Sequence, residues 1–120
     1  MDQYGKPLLI LNLLIDDKYV SDTFRIDTGF DGELAIPKDI VERYRIQYHG
    51  YIGWKLPTGQ KVEFPLIKTK IMLNSKIIET KATVIKVRPG LVGTALLRKI
   101  TRVMLLDFDD AELKIWLKNQ

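Results

Sequence analysis

Short apolar runs, separated by turn sequences at regular intervals, constrain the fold of this chain more than any other feature. Residues 7–15 form an almost continuous apolar run, and the pair Asp16-Asp17 marks a turn before residues 18–26 resume with loose alternation. This pattern is typical of a β-hairpin. Further turn signals are Pro57-Thr58-Gly59, Asn74-Ser75 and Pro89-Gly90. The predicted strands cover residues 7–15, 18–26, 32–36, 47–56, 60–73, 76–87, 91–93, 100–106 and 111–117.

Two segments carry helical signals instead. Residues 37–44 place Ile40, Val41 and Tyr44 on one face, and Pro37 suits the first helical position because its missing N–H is not needed there. Residues 94–99 predict a second short helix with Thr94 as its N-cap. Many short strands with one or two short helices predict an all-β fold, a small closed barrel or sandwich, in which residues 1–120 form one domain.

The residue inventory excludes several kinds of chemistry. The 120 residues include no Cys and one His. Without Cys there is no disulfide, no thiolate catalysis and no Cys-ligated zinc or iron–sulfur site, and one His is too few for a His-rich metal site. Chemistry performed by carboxylates remains, and we expect neither a metal nor a cofactor.

Charge and hydropathy give few indications of a partner. The net charge of +4 is a mild bias that permits weak attraction to nucleic acid without indicating it. The longest apolar run is interrupted at Asn12 and is far shorter than the roughly 18–20 residues of a membrane span. The first residues have no basic region typical of a signal peptide. These features predict a cytoplasmic protein without a membrane or nucleic-acid partner.

One tripeptide, Asp27-Thr28-Gly29, is a candidate site for carboxylate chemistry. A predicted strand delivers the Asp, and the Gly permits close approach of a ligand and supplies a backbone N–H. Two such carboxylates facing each other share a proton and can act as an acid and base on a water molecule. Asp-Thr-Gly is also an ordinary turn sequence, which occurs by chance in roughly one chain in a hundred of this length. The tripeptide alone is therefore weak evidence.

A second element strengthens this interpretation. The segment 91–97, which reads Leu-Val-Gly-Thr-Ala-Leu-Leu, has two apolar residues and a Gly before a predicted helix. In order and spacing, the two motifs resemble those of the retropepsin-like aspartic proteases, the single-lobed family that includes retroviral proteases. The chain is most similar to small prokaryotic members with an Asp-Thr-Gly-Phe motif, and the resemblance extends from about Leu8 to Trp116. It implies a small closed acid-protease barrel and aspartic endopeptidase activity.

The resemblance also implies roles for individual residues. Asp27 would be the catalytic carboxylate, Thr28 would hydrogen-bond across a dimer, and Gly29 would offer its backbone to the substrate. Residues 52–63 would form a flap hairpin that closes over the substrate, and residues 91–93 would support the catalytic loop. The positions implied to bind substrate are Phe30, Asp31, Gly32, Trp54, Leu56, Pro57, Thr58, Gly59 and Val92.

Two positions depart from the retroviral pattern. Phe30 replaces a small residue, which would narrow the cleft or change its specificity. Thr94 stands where retroviral enzymes have an Arg that pairs with the Asp at the position of Asp31, so that a different basic residue, such as Arg25 or Arg98, would have to supply the charge. The alternative function is therefore a peptide-binding or dimerisation module with little or no hydrolysis.

Other candidate residues have simpler interpretations. Asp107, Asp109 and Asp110 lack the spacing of a calcium loop and are typical of a hairpin turn. His49 has no recognisable nucleophile beside it and is expected to be exposed at the base of the flap. Basic residues on two predicted strands indicate a solvated sheet face rather than a nucleic-acid platform. These are Lys68, Lys70, Lys76, Lys81, Lys86 and Arg88.

The number of Asp-Thr-Gly motifs predicts the working unit. The chain contains one such tripeptide, and neither Pro57-Thr58-Gly59 nor Gly93-Thr94 supplies a second Asp. One chain therefore holds half of a two-carboxylate site. The expected active species is a homodimer that acts on a peptide or an unfolded protein.

Overall fold

The computed structural model describes residues 1–2 and 5–118, which form nine strands and two short helices. The order of the elements matches the predicted order of strands and helices along the chain. The elements are β1 (Leu8–Ile15), β2 (Lys18–Ile26), β3 (Leu34–Pro37), α1 (Lys38–Arg43), β4 (Tyr51–Lys55), β5 (Lys61–Leu73), β6 (Lys76–Ile85), β7 (Gly90–Val92), α2 (Thr94–Ile100), β8 (Thr101–Asp107) and β9 (Glu112–Leu117).

Six of the strands close into a barrel, as the sequence predicts. Their order is β1-β2-β7-β3-β6-β5, and β5 pairs back with β1 to complete the ring. The turns that join the consecutive strands carry residues in the left-handed region, Asp16 and Asp17 between β1 and β2, and Asn74 and Ser75 between β5 and β6. Asp and Asn tolerate this backbone conformation better than other residues with a Cβ, which explains why the strands reverse there.

Strand β7 is the element that connects the two sequence motifs. It is a three-residue strand inserted between β2 and β3, parallel to the first and antiparallel to the second. Because β2 leads into Asp27 and β7 leads into Gly93, their parallel pairing places both segments at the same end of the sheet.

The inside of the barrel is filled by side chains from alternate strand positions. Leu11 and Leu13 of β1 are fully buried, whereas Ile10 and Asn12 face outward. This alternation is the period of a strand with one face in the core. Other large side chains with less than 2% exposure are Phe24, Leu34, Ile36, Pro37, Ile67, Ile71, Val92 and Leu96.

Two hairpins extend the fold beyond the barrel. Strand β4 pairs only with the first half of β5, from Tyr51 opposite Pro65 to Lys55 opposite Lys61. Strands β8 and β9 form a separate two-stranded sheet that packs Met104, Leu113 and Ile115 against the core. The outer face of this second hairpin carries Trp116, which is 43% exposed.

The structure corrects several local predictions. The strand predicted for residues 47–56 is limited to Tyr51–Lys55, because the preceding residues form a loop in which Gly50 has a φ of 109°. Pro37 is the N-cap of α1 and the last residue of β3, not the first helical residue. Gly93, rather than Thr94, is the N-cap of α2. The Thr94 hydroxyl donates instead to the carbonyl oxygen of Phe30, at 3.3 Å.

Most of the residues with simpler interpretations lie where the sequence predicts them. A turn connects β8 and β9, and the Asp110 N–H donates to Asp107 Oδ1 at 3.1 Å, as in other turns that begin with Asp. His49 is exposed beside the start of β4, and its N–H donates to the Leu66 carbonyl. Lys68, Lys70, Lys76 and Lys81 are solvent-exposed on β5 and β6, as predicted. The prediction is wrong for Lys86 and Arg88, which are exposed but lie beyond the end of β6 at Ile85.

Candidate active site

Asp27 follows the last residue of β2 and begins a tight turn. Its N–H donates to the Val92 carbonyl at 3.0 Å, and its carbonyl accepts the Phe30 N–H at 3.1 Å. The carboxylate Oδ1 accepts the backbone N–H of Gly29 at 2.9 Å. Both the backbone and the side chain of Asp27 are therefore held in place, while the side chain remains partly open to solvent.

The loop after Asp27 is bound to the second sequence motif by backbone hydrogen bonds. Gly93 N–H donates to the Glu33 carbonyl at 2.9 Å, Thr94 N–H to Phe30 at 2.9 Å, and Ala95 N–H to Gly32 at 3.2 Å. The two backbones approach so closely that a Cβ at Gly93 would collide with the carbonyl oxygen of Gly32. Only glycine permits this contact, which explains why the second motif needs Gly at this position.

Three of the predicted site residues lie on the solvent side of this loop. Thr28, Gly29 and Asp31 are exposed, so each is accessible to a substrate or a second chain. Within the part of the chain that the structure describes, no basic residue forms an ion pair with Asp31, and Thr94 points its hydroxyl at the Phe30 carbonyl. Arg25 and Arg98 therefore do not replace the missing partner within the described chain.

The hairpin of β4 and β5 has the form expected of a flap. Its tip is a turn in which Gly59 N–H donates to the Leu56 carbonyl and Leu56 N–H donates to Gln60, each at 2.8 Å. Gly59 has a φ of 89°, a conformation that favours glycine. Leu56, Pro57, Thr58 and Gly59 are all exposed at this tip.

Two of the predicted site residues, Trp54 and Phe30, connect the β4–β5 hairpin to the loop after Asp27. The ring centroids of Trp54 on β4 and Phe30 lie 5.3 Å apart, and the ring planes are inclined by 59°. The indole Nε1–H of Trp54 also donates to Thr83 Oγ1 on β6, at 3.2 Å. Thr83 is 5% exposed and was not a sequence-predicted site residue, because no local pattern distinguishes it from other inward-facing strand residues.

Val92, which the resemblance implied to bind substrate, lies beneath the loop and is not accessible from solvent. Its side chain is fully buried, while its carbonyl accepts the Asp27 N–H. The structure thus brings Asp27, Gly29, Phe30, Gly32 and Trp54 together around one loop. It places Val92 below that loop and the flap tip at the far end of the hairpin.

Ion pairs brace the segments on either side of the loop. Glu33, just after the loop, accepts Lys99 Nζ at 3.1 Å and the Lys81 N–H at 3.3 Å. Arg88, just before β7, pairs with Asp22 of β2 at 2.8 Å and with Asp39 of α1 at 2.6 Å. The hydrogen bonds from Arg88 hold the pKa of Asp39 below its usual value. No sequence pattern predicts this bridge, which joins β2 and α1 to the segment before β7.

Two surface cavities lie away from Asp27. One, of about 640 Å³, is bordered by the β1–β2 turn and His49, and the other, of about 450 Å³, is bordered by Glu33, Glu79 and lysine side chains. Among residues 1–2 and 5–118, no group of three or more His, Asp or Glu residues is arranged to hold a metal ion. No helix in the same residues has the length and apolar character required to cross a bilayer.

Comparison with solved structures identifies the fold. The protease of EIAV, solved with the inhibitor HBY-793, superposes with a TM-score of 0.61 at 20% identity, over 82% of this chain and 91% of that one. A retropepsin-like aspartic protease from Rickettsia conorii gives a TM-score of 0.61 at 18% identity, over 97% of this chain and 84% of that one. The protease of simian foamy virus gives a TM-score of 0.53 at 11% identity, over 75% of this chain and 92% of that one.

These structural neighbours are retropepsin-like aspartic proteases, and the chain has their fold. The closed barrel with two short helices thus confirms the fold that the two motifs implied. No protein-family model and no curated protein sequence matches the chain.

Proposed function

We propose that the protein is an aspartic endopeptidase that is active as a homodimer. The observation that carries this proposal is the placement of Asp27, whose carboxylate is held at the end of β2 by the Gly29 N–H and is partly open to solvent. The loop that follows it contacts the flap-like hairpin through Phe30 and Trp54. The structural likeness to aspartic proteases supports the same reaction class.

In this proposal each subunit supplies one Asp27, and the two carboxyl groups share one proton. The unprotonated carboxylate takes a proton from a water molecule, whose oxygen attacks the carbonyl carbon of the scissile peptide bond. The protonated partner donates a hydrogen bond to the carbonyl oxygen as negative charge develops there. The carboxyl group that took the proton from water then donates it to the amide nitrogen, and the C–N bond breaks to release a carboxylic acid and an amine. The Thr28 side chains would connect the two loops, and the flap would cover the peptide.

The bracing around Asp27 supports this chemistry because a catalytic group must be held close to its productive geometry. The Asp27 N–H is fixed by Val92, and the following loop is fixed by Gly93, Thr94 and Ala95. Such preorganisation reduces the rearrangement needed when the water attacks. Action in the cytoplasm, a single domain over residues 1–120 and the absence of a cofactor are part of the same proposal.

Phe30 favours a second candidate function on the same fold. Its ring contacts Trp54 of the flap-like hairpin, with the ring centroids 5.3 Å apart. In the proposed mode of binding, a peptide between hairpin and loop would have less room here than beside a small residue. A dimeric peptide-binding module with little hydrolysis would tolerate this narrowing better than an efficient protease.

Cleavage of an unfolded protein by wild type and Asp27→Asn, from acidic to neutral pH, distinguishes the two functions. We expect Asp27→Asn to lose cleavage by roughly 10²- to 10⁴-fold, the usual contribution of an acid–base group. Asp109→Asn is the matched control, since it makes the same chemical change at an exposed position of the β8–β9 turn, outside the proposed site. Equal activity in wild type and Asp27→Asn would contradict the protease proposal and favour the binding module.

A further inference from the structure

The ring of Phe30 fills a notch that two glycines leave open. A Cβ at Gly32 would lie 2.5 Å from Phe30 Cζ, and a Cβ at Gly93 would lie 2.7 Å from Phe30 Cδ2. Contacts this short do not occur between real atoms, so both positions must lack a side chain for the ring to lie where it does. Phe30 is thus packed against the loop itself, and its orientation is fixed by the surrounding backbone.

Trp54 packs over the same notch from the flap. A Cβ at Gly32 would also come within 3.1 Å of Trp54 Cζ2, so both aromatic side chains lie beside this glycine. The tilted contact between the rings is a favourable aromatic geometry. The Nε1–H of Trp54 is satisfied by the hydroxyl of Thr83, which is 5% exposed. Ring packing and a hydrogen bond to the barrel therefore hold Trp54 at two points.

From these contacts we infer that Phe30 and Trp54 form a fixed aromatic wall that admits only small side chains, such as Gly, Ala or Ser, at one substrate position close to the scissile bond. The inference rests on the proposed function, in which a peptide lies extended between flap and loop. In an extended peptide alternate side chains face opposite ways, so only residues of one phase face the wall. Since Phe30 is three residues from Asp27, we place this position within two residues of the cleaved bond.

A large side chain at this position would have to displace one of the rings. It would break the Trp54–Thr83 hydrogen bond and separate Trp54 from Phe30, whereas a small side chain would leave both contacts intact. Size discrimination in an apolar pocket usually amounts to roughly 10- to 200-fold in kcat/KM. Phe30 and Trp54 are therefore specificity-determining residues in this account.

A panel of peptides tests the wall. The peptides share one cleaved sequence and carry Gly, Ala, Leu or Phe in turn at each of the two positions on either side of the cleaved bond. For wild type, we expect one position at which Gly or Ala gives at least about 10-fold higher kcat/KM than Leu or Phe. Phe30→Ala and Trp54→Ala should each reduce that ratio several-fold. Phe108→Ala, which truncates an aromatic residue at the β8–β9 turn, should preserve the wild-type ratio.

Thr83→Val keeps both rings and removes only the acceptor for the indole N–H. It should partly reduce the preference for Gly or Ala over Leu or Phe. If Phe30→Ala and Trp54→Ala do not fold, this variant alone tests whether the wall sets that preference. The wall is contradicted if Leu and Phe are accepted as well as Ala at all four positions. It is also contradicted if the variants that fold retain the wild-type ratio.

A binding experiment separates failure of the wall from failure of catalysis. The same peptides are labelled with a fluorophore, and their binding to Asp27→Asn is measured by fluorescence anisotropy. If wild type cleaves none of the peptides but Asp27→Asn binds those with the small residue at least about 10-fold more tightly, the wall stands and the protease proposal fails. If cleavage and size-selective binding are both absent, the wall is overturned as well. Cleavage that is insensitive to residue size overturns the wall alone.

Discussion

The backbone N–H of Asp27 donates a hydrogen bond to the carbonyl oxygen of Val92, at 3.0 Å. This bond joins the two sequence motifs, which are far apart in the chain, at the position where the proposed catalytic carboxylate leaves β2. The parallel pairing of β2 with β7 creates the contact, and the hydrogen bonds from Gly93, Thr94 and Ala95 extend it along the loop. The second motif therefore supports the first through its backbone, and the missing side chain of Gly93 permits the close approach.

Substitution of Gly93 by Ala should destabilise the protein by at least about 1–3 kcal/mol. The added Cβ would collide with the backbone carbonyl of Gly32 and with the ring of Phe30, and the backbone atoms cannot move without breaking the loop contacts. Gly53→Ala is the matched control, because no atom beyond the adjacent residues lies within 4 Å of the Cβ position at Gly53. Urea unfolding measures both variants. An effect of equal size at the two positions would contradict the close packing at Gly93.

Gly32→Ala should be less harmful when Phe30 is also replaced by Ala. The Cβ added at Gly32 would collide mainly with the Phe30 ring, so removal of that ring relieves the clash. We expect a coupling free energy of about 1 kcal/mol or more in a double-mutant cycle, as for other residues in direct contact. Strict additivity of the free energies of unfolding would show that the Phe30 ring does not lie over Gly32.

Arg88→Gln should destabilise the protein at neutral pH more than at acidic pH. The Arg88 hydrogen bonds lower the pKa of Asp39, so the folded protein binds this proton more weakly than the unfolded chain does. The resulting stabilisation is present above the unfolded pKa of about 3.9, and it is lost as the pH falls through the lower folded value. Urea unfolding of wild type and Arg88→Gln should therefore give a difference that shrinks below about pH 4.

Lys38→Gln is the control for that pH series. It removes an exposed pair with Glu42, at 3.5 Å on the same helix as Asp39, and should change stability little at any pH. If the difference in free energy of unfolding between wild type and Arg88→Gln stays constant from pH 7 to pH 3, Arg88 does not lower the pKa of Asp39.

Activity per chain should fall on dilution, because one chain carries one carboxylate of the proposed pair. At concentrations well below the dissociation constant of the dimer, the rate should vary with the square of protein concentration. Sedimentation measured over the same concentrations should show the dimer giving way to monomer as the activity per chain declines. A monomeric chain with undiminished activity per molecule would contradict the dimeric mechanism.

The fold was predictable wherever local signals and long-range contacts agree. Asp16-Asp17 and Asn74-Ser75 mark turns because these residues accept positive φ, and the structure reverses at both. The length of β4 was not predictable, because its start depends on Leu66, which pairs with the loop at His49 and Gly50. Thr94 resembles an N-cap in sequence, yet its hydroxyl donates to the carbonyl oxygen of Phe30. Only the folded loop creates this contact.

The candidate site likewise contains residues that the sequence predicts and residues that it does not. Asp27, Gly29 and Gly93 were predicted from the two motifs, and the structure places the three residues around one loop. Of the two glycines, Gly93 is the one whose backbone contact leaves no room for a side chain. Thr83 and Arg88 were missed, because each acts through residues distant in sequence, Trp54 for the first and Asp22 and Asp39 for the second. No local pattern encodes such contacts, which arise only when the barrel closes.

Mixing of wild-type and Asp27→Asn chains tests the central claim most directly. The Asn side chain retains an oxygen that can accept the Gly29 N–H, so the variant should fold and exchange subunits with wild type. At a fixed amount of wild type and saturating peptide, added Asp27→Asn should progressively suppress cleavage, because each mixed dimer contains one carboxylate. If activity is unchanged by a large excess of the variant, or if the variant alone cleaves as fast as wild type, the shared pair of Asp27 residues is contradicted.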